Sequence, residues 1–301
     1  MMETKLPFNK TYSTPRELVS LLQSRGLLVN DTAVAVRHIQ NIGYYRLSAY
    51  MYPLLRKPKI EHRYKEDTSF DQVMMLYRFD KQLRVFIFNE IEKIEVAVRS
   101  AIVGYGCEVT NDPFWMTNQD NFKDVSKFKH TLEMIESEMK HSREEFILHF
   151  RQKYCEKHPP AWILAEILPF GVVTSIYSNI KNLRLKKKVA QRFGLQVSPF
   201  ESWLTIVTLT RNACCHHARV WNKRNSIRPT VPRHIAFPWI FLEANPLRIY
   251  FNLCIIKYFV NIISPKNDMT NKLKMLLFDF PDVDPAAMGF PHEWEDEPVW
   301  K

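Results

Sequence analysis

One run of sequence constrains this chain more than any other. From Ser69 to Val103 there is neither glycine nor proline, and apolar residues recur at helical spacing. Val73, Leu76, Leu83, Ile87, Ile91, Ile94, Val98 and Ile102 step by three, four or seven positions, which sets them on one stripe of a long helix. Such a stripe must be covered by other elements. No segment alternates long enough to supply a sheet, and a short hairpin around 54–68 is the most that the pattern allows. The fold class is therefore read as all-α. Glycine scarcity narrows the choice further, with 7 in 301 residues and neither a G-x-G-x-x-G nor a P-loop pattern. Dinucleotide-binding and P-loop folds are excluded.

Helical punctuation recurs along the rest of the chain. Thr14-Pro15-Arg16-Glu17 is a capping box with proline at the first helical position, and Gly26 stands where that helix would end. A second helix is expected from Asp31 through Ile42, followed by an aromatic stretch, Gly43 to Pro53, and a loop to Asp67. On the long helix, Glu95 and Arg99 have the spacing and order of an i, i+4 ion pair. Further helices are expected over roughly Ser126–Lys157, Trp162–Ile167, Val172–Ile180 and 246–263. Ser198-Pro199-Phe200-Glu201 reads as another capping box, opening a helix through Trp203, Leu204, Val207 and Leu209.

Charge points to an anionic partner. The net charge is +10, but its placement says more than its size. Between Ile167 and Leu242 twelve basic residues face a single acid, Glu201, whereas Pro281–Lys301 holds six acids and one lysine. A polyanion-binding face, most simply one for nucleic acid, fits the basic window. The five cysteines (Cys107, Cys155, Cys214, Cys215 and Cys254) are odd in number and lack zinc spacing, so reduced, packing thiols are expected. There is no basic-then-apolar leader, and Asn252, Lys257 and Asn261 interrupt the apolar run at 249–263, so a cytoplasmic chain without a membrane span is expected.

The expected helix through Leu209 enters the most polar cluster in the chain. Arg211-Asn212-Ala213-Cys214-Cys215-His216-His217-Ala218-Arg219-Val220-Trp221-Asn222 holds two Arg, two His and two Asn in twelve residues. On a continuing helix, Asn212 and His216 are i, i+4 neighbours and Arg219 lies i+3 from His216, so one helix end would present imidazole, amide and guanidinium together without a carboxylate nearby. The chemistry this suits is cleavage of RNA. Imidazole exchanges protons with the 2′-hydroxyl and the leaving oxygen, guanidinium matches phosphate oxygens, and Asn orients one of them. No metal or cofactor is called for. Capping of the helix end by His and Arg, with Trp221 in the core, is the structural alternative.

Arg-Asn-x-Cys-x-His-His-x-Arg-x-Trp-Asn resembles the signature of bacterial abortive-infection (Abi) proteins of the AbiD/AbiF type, in the HEPN superfamily. Arg211, Asn212 and His216 match the superfamily's Arg-x4–6-His core with its polar residue after Arg. The resemblance also takes in Ile42–Tyr50, Phe79–Arg84, Ile91–Val96, Pro160-Ala161-Trp162, Glu166, Phe170-Gly171, Met288–Pro291 and Trp294. Cys215 stands where Ala is usual and Ala218 where a small polar residue is usual; neither change removes a candidate catalytic group. The resemblance implies a HEPN-like bundle with an N-terminal helical extension (1–64), the bundle itself (65–222) and a C-terminal helical cap with the acidic tail (223–301). It also implies RNA as target, a homodimer, a role in abortive infection or toxin–antitoxin behaviour, and restraint by a partner such as an antitoxin.

The expected site is then Arg211 for phosphate, His216 as acid and base, and Asn212 to orient. His217, Arg219, Asn222, Lys186, Lys187, Lys188 and Arg224 are secondary or RNA-contacting candidates, and His217 is the alternative imidazole. Lys186–Lys188 read as a solvated helix face that attracts phosphate. Glu92 and Glu95 either support Arg211 or His216 or make ordinary surface pairs. Tyr44, Tyr45, Tyr50 and Tyr52 either stack on bases or pack in the core. Two other functions compete with the nuclease: a non-catalytic RNA-binding module, and a protein-interaction regulator whose acidic tail pairs with its own basic window.

Overall fold

The computed structural model describes Pro7, Asn9 and residues 11–301. The expected absence of a leader falls largely on residues outside those described. Among the described residues the fold is all-helical, with twelve α-helices, short 3-10 turns and only isolated β-bridges. The chain forms two compact units, Met1–Gln82 and Leu83–Lys301, with the divide inside one long helix, α4 (Phe70–Thr110).

The first unit holds α1 (Pro15–Ser24), α2 (Thr32–Ile42) and α3 (Tyr44–Met51). The expected capping box forms: Thr14 N–H donates to Glu17 at 2.7 Å, and Glu17 N–H donates back to Thr14 Oγ1 at 3.3 Å. Gly26 takes φ +90° just past α1, and Leu27 N–H closes the end on Leu22 O at 3.1 Å. Val19, Leu22, Ile39 and Leu47 are buried among these helices, and the Tyr50 hydroxyl donates to the fully buried carboxylate of Asp80 at 2.6 Å. Tyr50 is thus a core residue, whereas Tyr45 is exposed. The 54–68 segment closes on a single antiparallel bridge, Leu55 to Tyr64, not a hairpin of strands.

The second unit is built on α4. Leu83, Ile87, Ile91, Ile94, Val98 and Ile102 are all fully buried, as the stripe requires. The helix expected at 126–157 is in fact two, α5 (Val125–His141) and α6 (Glu145–Lys153). The break lets Arg151 of α6 donate to the Met139 carbonyl at the end of α5, which also accepts from Ser142 N–H at 3.3 Å. Next come α7 (Ala161–Ile167), α8 (Phe170–Asn179), α9 (Leu183–Arg192) and α10 (Val197–Cys215). α5 packs on α7 and α8, while α10 packs on α8 and α9.

α10 starts two residues earlier than the second capping box requires. Its N-cap is Gln196, so Ser198 and Pro199 lie inside the first turn, and Glu201 pairs with Lys186 and does not return to the cap. Proline is accommodated there because the first-turn N–H groups have no helical partner. A long irregular segment follows, pinned where the Trp239 ring meets Trp203 at 4.7 Å between centroids. α11 (Ile249–Ile263), which also packs on α10, is buried from Ile249 through Val260. The polar residues that interrupt its apolar run find partners: Asn252 Nδ2 donates to Thr210 at 2.9 Å, Lys257 Nζ to Asn267 at 2.9 Å and Asn261 Nδ2 to Val299 O at 2.8 Å. Among the described residues no helix is long and apolar enough to cross a membrane.

Two features of the C-terminal region escape the sequence reading. A twelfth helix, α12 (Met269–Phe278), precedes the tail, and the acidic tail is a packed element whose Met288, Phe290, Trp294, Val299 and Trp300 are buried. Its acids do not pair with the basic window. Glu295 pairs with Lys274 and Asp296 with Lys301, while buried Glu297 accepts the backbone N–H groups of Phe241 and Leu242. The reading that joins tail to window by ion pairs is therefore set aside.

Gly106 on α4 tests this packing. A methyl group there would come within 2.2 Å of the fully buried Trp115 ring. Gly106→Ala gains about 1 kcal/mol of helix propensity, yet overpacking of this kind costs about 1–3 kcal/mol or more. The variant is expected to unfold at lower urea than the parent; a raised midpoint would show that the indole does not rest on this helix.

Candidate functional site

The polar cluster sits where α10 stops. Its last helical residue is Cys215, His216 is the C-cap, and His217 takes the left-handed conformation with φ +55°. His216 N–H donates to Asn212 O at 2.9 Å, His217 N–H to Cys214 O at 3.1 Å and Ala218 N–H to Ala213 O at 2.8 Å. The last two bonds are the paired closure that usually has glycine at the left-handed position. Histidine is among the few other residues that adopt it with some frequency.

Arg211 is held in place from α4. Its Nε donates to Glu95 Oε1 at 2.8 Å, its guanidinium lies 5.9 Å from the centre of the Phe88 ring, and a terminal nitrogen reaches Asn212 Oδ1 at 3.5 Å. With side-chain exposures of 31% for Arg211 and 15% for Glu95, the pair is partly shielded from solvent. Tethering through Nε leaves one terminal nitrogen, and the second N–H of the one that reaches Asn212, available to an anion. The expectation of a cluster without a carboxylate nearby is thereby corrected: Glu95, 116 positions away in sequence, is brought beside it by α4. Of the two readings of Glu95, support of Arg211 is the one observed. Arg99, expected to pair with Glu95, donates to the Ala165 carbonyl.

The remaining candidates divide. His216 and His217 are exposed at the helix end, and Arg224 is exposed beyond it. Asn212 and His216 meet through the backbone only. Arg219 does not stand one turn above His216, because the helix has already ended. Asn222 is a turn residue with φ +46° whose Oδ1 accepts from Arg248 at 3.1 Å. Lys186 leaves the expected solvated face: it is buried, paired with Glu201 and bonded to Ser178 O at 3.1 Å. Lys188 pairs with Glu108 of α4, and only Lys187 of the three is exposed. None of the five cysteines is in a disulfide, Cys214 and Cys254 are buried, and Trp221 is in the core.

A cleft of about 250 Å³ beside Glu95 is lined by Glu92, Val96, Arg99, Ser100 and Glu166 as well. Among the described residues no group of three or more His, Cys, Asp or Glu side chains is placed to hold a metal ion. The surface next to Arg211 is therefore acidic on the α4 side and basic beyond the end of α10.

The profile of the Abi-like protein family matches residues 37–222, from α2 to the turn at Asn222. The chain belongs to the Abi-like protein family. No curated protein and no solved structure matches the chain. Family membership connects it with abortive infection, and Glu95, Arg211, Asn212 and His216 all lie in the matched span.

The helix stop gives a direct check on the roles of the two histidines. At the left-handed position His217→Gly should leave the melting temperature unchanged or raised. The β-branched His217→Val should lose about 1–2 kcal/mol, because a left-handed residue with a branched Cβ is strained. Equal stability of the two variants in thermal unfolding would mean that His217 is not the left-handed stop.

Proposed function

We propose that this Abi-like protein is a HEPN-type, metal-independent endoribonuclease. The observation that carries the reading is the end of α10, where a tethered guanidinium, an amide and a free imidazole occupy one helix terminus. In the proposed reaction His216 takes the proton of a ribose 2′-hydroxyl. The 2′ oxygen bonds to phosphorus, the bond to the 5′ oxygen breaks, and the departing oxygen takes a proton back from the imidazolium. The terminal nitrogens of Arg211 bind the charge that builds on the phosphoryl oxygens, and Asn212 steadies that guanidinium. The products are a 2′,3′-cyclic phosphate and a 5′-hydroxyl. In the cell this would act in the cytoplasm as a toxin restrained by a partner until infection.

RNA incubated with the pure protein in EDTA should be cut. His216→Ala and Arg211→Ala should each slow cutting by about 10²-fold or more with helix content intact, while His217→Gly remains active. Cleavage that stops with chelator and returns with Mg²⁺ would overturn the mechanism. RNA bound but never cut would leave the non-catalytic RNA-binding reading.

A second copy of the chain completes the site in this proposal. Five residues apart on one helix, Arg211 and His216 start about 140° apart, and Arg211 turns toward α4. Beside it, Val85, Phe88 and Val96 of α4 are 64%, 40% and 58% exposed at spacings of a helix row. Phe88 also supports the Arg211 guanidinium, so the row, which carries exposed Glu92 between Phe88 and Val96, adjoins the site. A two-fold axis across the row would bring a second Arg and His opposite the first. Mixing Arg211→Ala with His216→Ala protein should then restore cutting, since each mixed dimer holds one intact pair. No recovery in a mixture shown to contain mixed dimers would place both groups on one chain.

A further inference from the structure

A cavity of about 230 Å³ opens between the last turns of α10, the loop that follows it and the start of α11. We propose that it receives a single nucleobase of the bound RNA. The inference rests on the RNA reading above and adds to it a site for base preference.

Size comes first. Small-molecule sites usually occupy about 300–1,000 Å³, so this cavity suits one planar ring system and leaves the sugar and phosphate outside. Its walls are apolar, from Ile206, Leu209, Ile227 and Ile249. Its deep end is polar: Asn252 and Thr210 line it at 4% and 5% exposure. Asn252 Nδ2 donates to Thr210 Oγ1 at 2.9 Å, and its Oδ1 accepts from Asn225 Nδ2 at 3.4 Å. One N–H and one lone pair of that amide remain over, the combination an amide offers to the edge of a base.

Charge and position select the occupant further. Lys223 and Arg224 line the cavity, are exposed, and have no ion pair among the described residues, and no carboxylate lines it at all. An apolar ring carried on phosphates matches this lining; an acidic or purely aliphatic ligand matches only half of it. Thr210 and Ala213 line the cavity, and Arg211 and Asn212 lie between them on other faces of the same turn. Arg211 thus lies within one turn of the cavity along α10 but on another face of the helix, so a strand crossing the helix end could place a base in the cavity and a different phosphate at Arg211. Unstacked bases held this way are the usual means by which proteins read single-stranded RNA.

The test uses the full chain with 5′-AMP, GMP, CMP, UMP and ribose 5-phosphate, titrated in turn by NMR chemical shift. Homopolymer RNA oligonucleotides are compared in parallel. At least one nucleotide should saturate where ribose 5-phosphate does not, and the matching oligonucleotide should bind about tenfold or more tightly than the others. Ser226 is exposed and lines the cavity, so Ser226→Trp should fold, as its melting curve will show, and its indole should occlude the opening. The variant should lose the nucleotide's saturation and bring the oligonucleotides to within about twofold of one another. Ribose 5-phosphate binding as well as every nucleotide, or a preference that survives Ser226→Trp, would overturn the pocket while leaving RNA cleavage as a separate result. Nucleotides bound by a protein with no affinity for RNA at low salt would uphold the pocket and remove the RNA reading instead.

Discussion

The chemistry available to this protein depends on where α10 stops. A helix carried on through Trp221 would have spread the polar residues of the cluster around its circumference, with Arg219 stacked over His216. The stop at Cys215 prevents that. Helix ends leave carbonyls without partners, and here the N–H groups of His216, His217 and Ala218 satisfy those of Asn212, Cys214 and Ala213. The cost is one non-glycine residue in left-handed backbone, His217. What it leaves is His216 exposed at the cap, past the last residue whose direction the helix dictates, with Arg211 and Asn212 on the rigid turn before it.

Glu95 decides how Arg211 uses its charge. A guanidinium left unpaired at a half-exposed position would sample many rotamers. Tethered at Nε and laid near Phe88, it keeps one orientation and presents its terminal nitrogens. The same carboxylate lowers the net charge available to a phosphate, and Glu92 and Glu166 add to that effect in the neighbouring cleft. An anionic ligand is thereby repelled from the α4 side and favoured from the side of His216, where Lys223 and Arg224 lie. Negative charge near the guanidinium thus gives direction as well as position.

How much of this was legible in the sequence follows from the range of the interactions. The α4 stripe, the Thr14 capping box and the end of α1 at Gly26 are set by residues a few positions apart, and all three stand. The Arg211–His216 cluster was visible for the same reason. The errors arise where a local signal competes with a distant partner. Ser198 and Glu201 have capping-box spacing, but Glu201 is taken by Lys186. Glu95 and Arg99 have ion-pair spacing, but Arg211 and the Ala165 carbonyl, each far along the chain, take them apart. No Gly or Pro marks the break between α5 and α6, which the fold exploits through Arg151. The buried aromatics of the tail were hidden by the acids between them.

The distribution of charge carries the last step. Three of the twelve cations in the basic window are matched by carboxylates: Lys186 by Glu201, Lys188 by Glu108 and Arg211 by Glu95. Two of those acids come from α4, outside the window. Eight others, Lys181, Arg184, Lys187, Arg192, Lys223, Arg224, Arg228 and Arg233, are exposed, and the acidic tail directs its own charges elsewhere. The fold therefore satisfies the cations it needs for packing and leaves an excess facing water. Packing alone gives no reason for such an excess, because it repels itself and would be relieved by a few acids on the same surface. The RNA of the proposed function would relieve it instead, by releasing its condensed counterions as the lysines and arginines take their place. On the proposed reading, the charge that the fold leaves unused is the charge the RNA would meet.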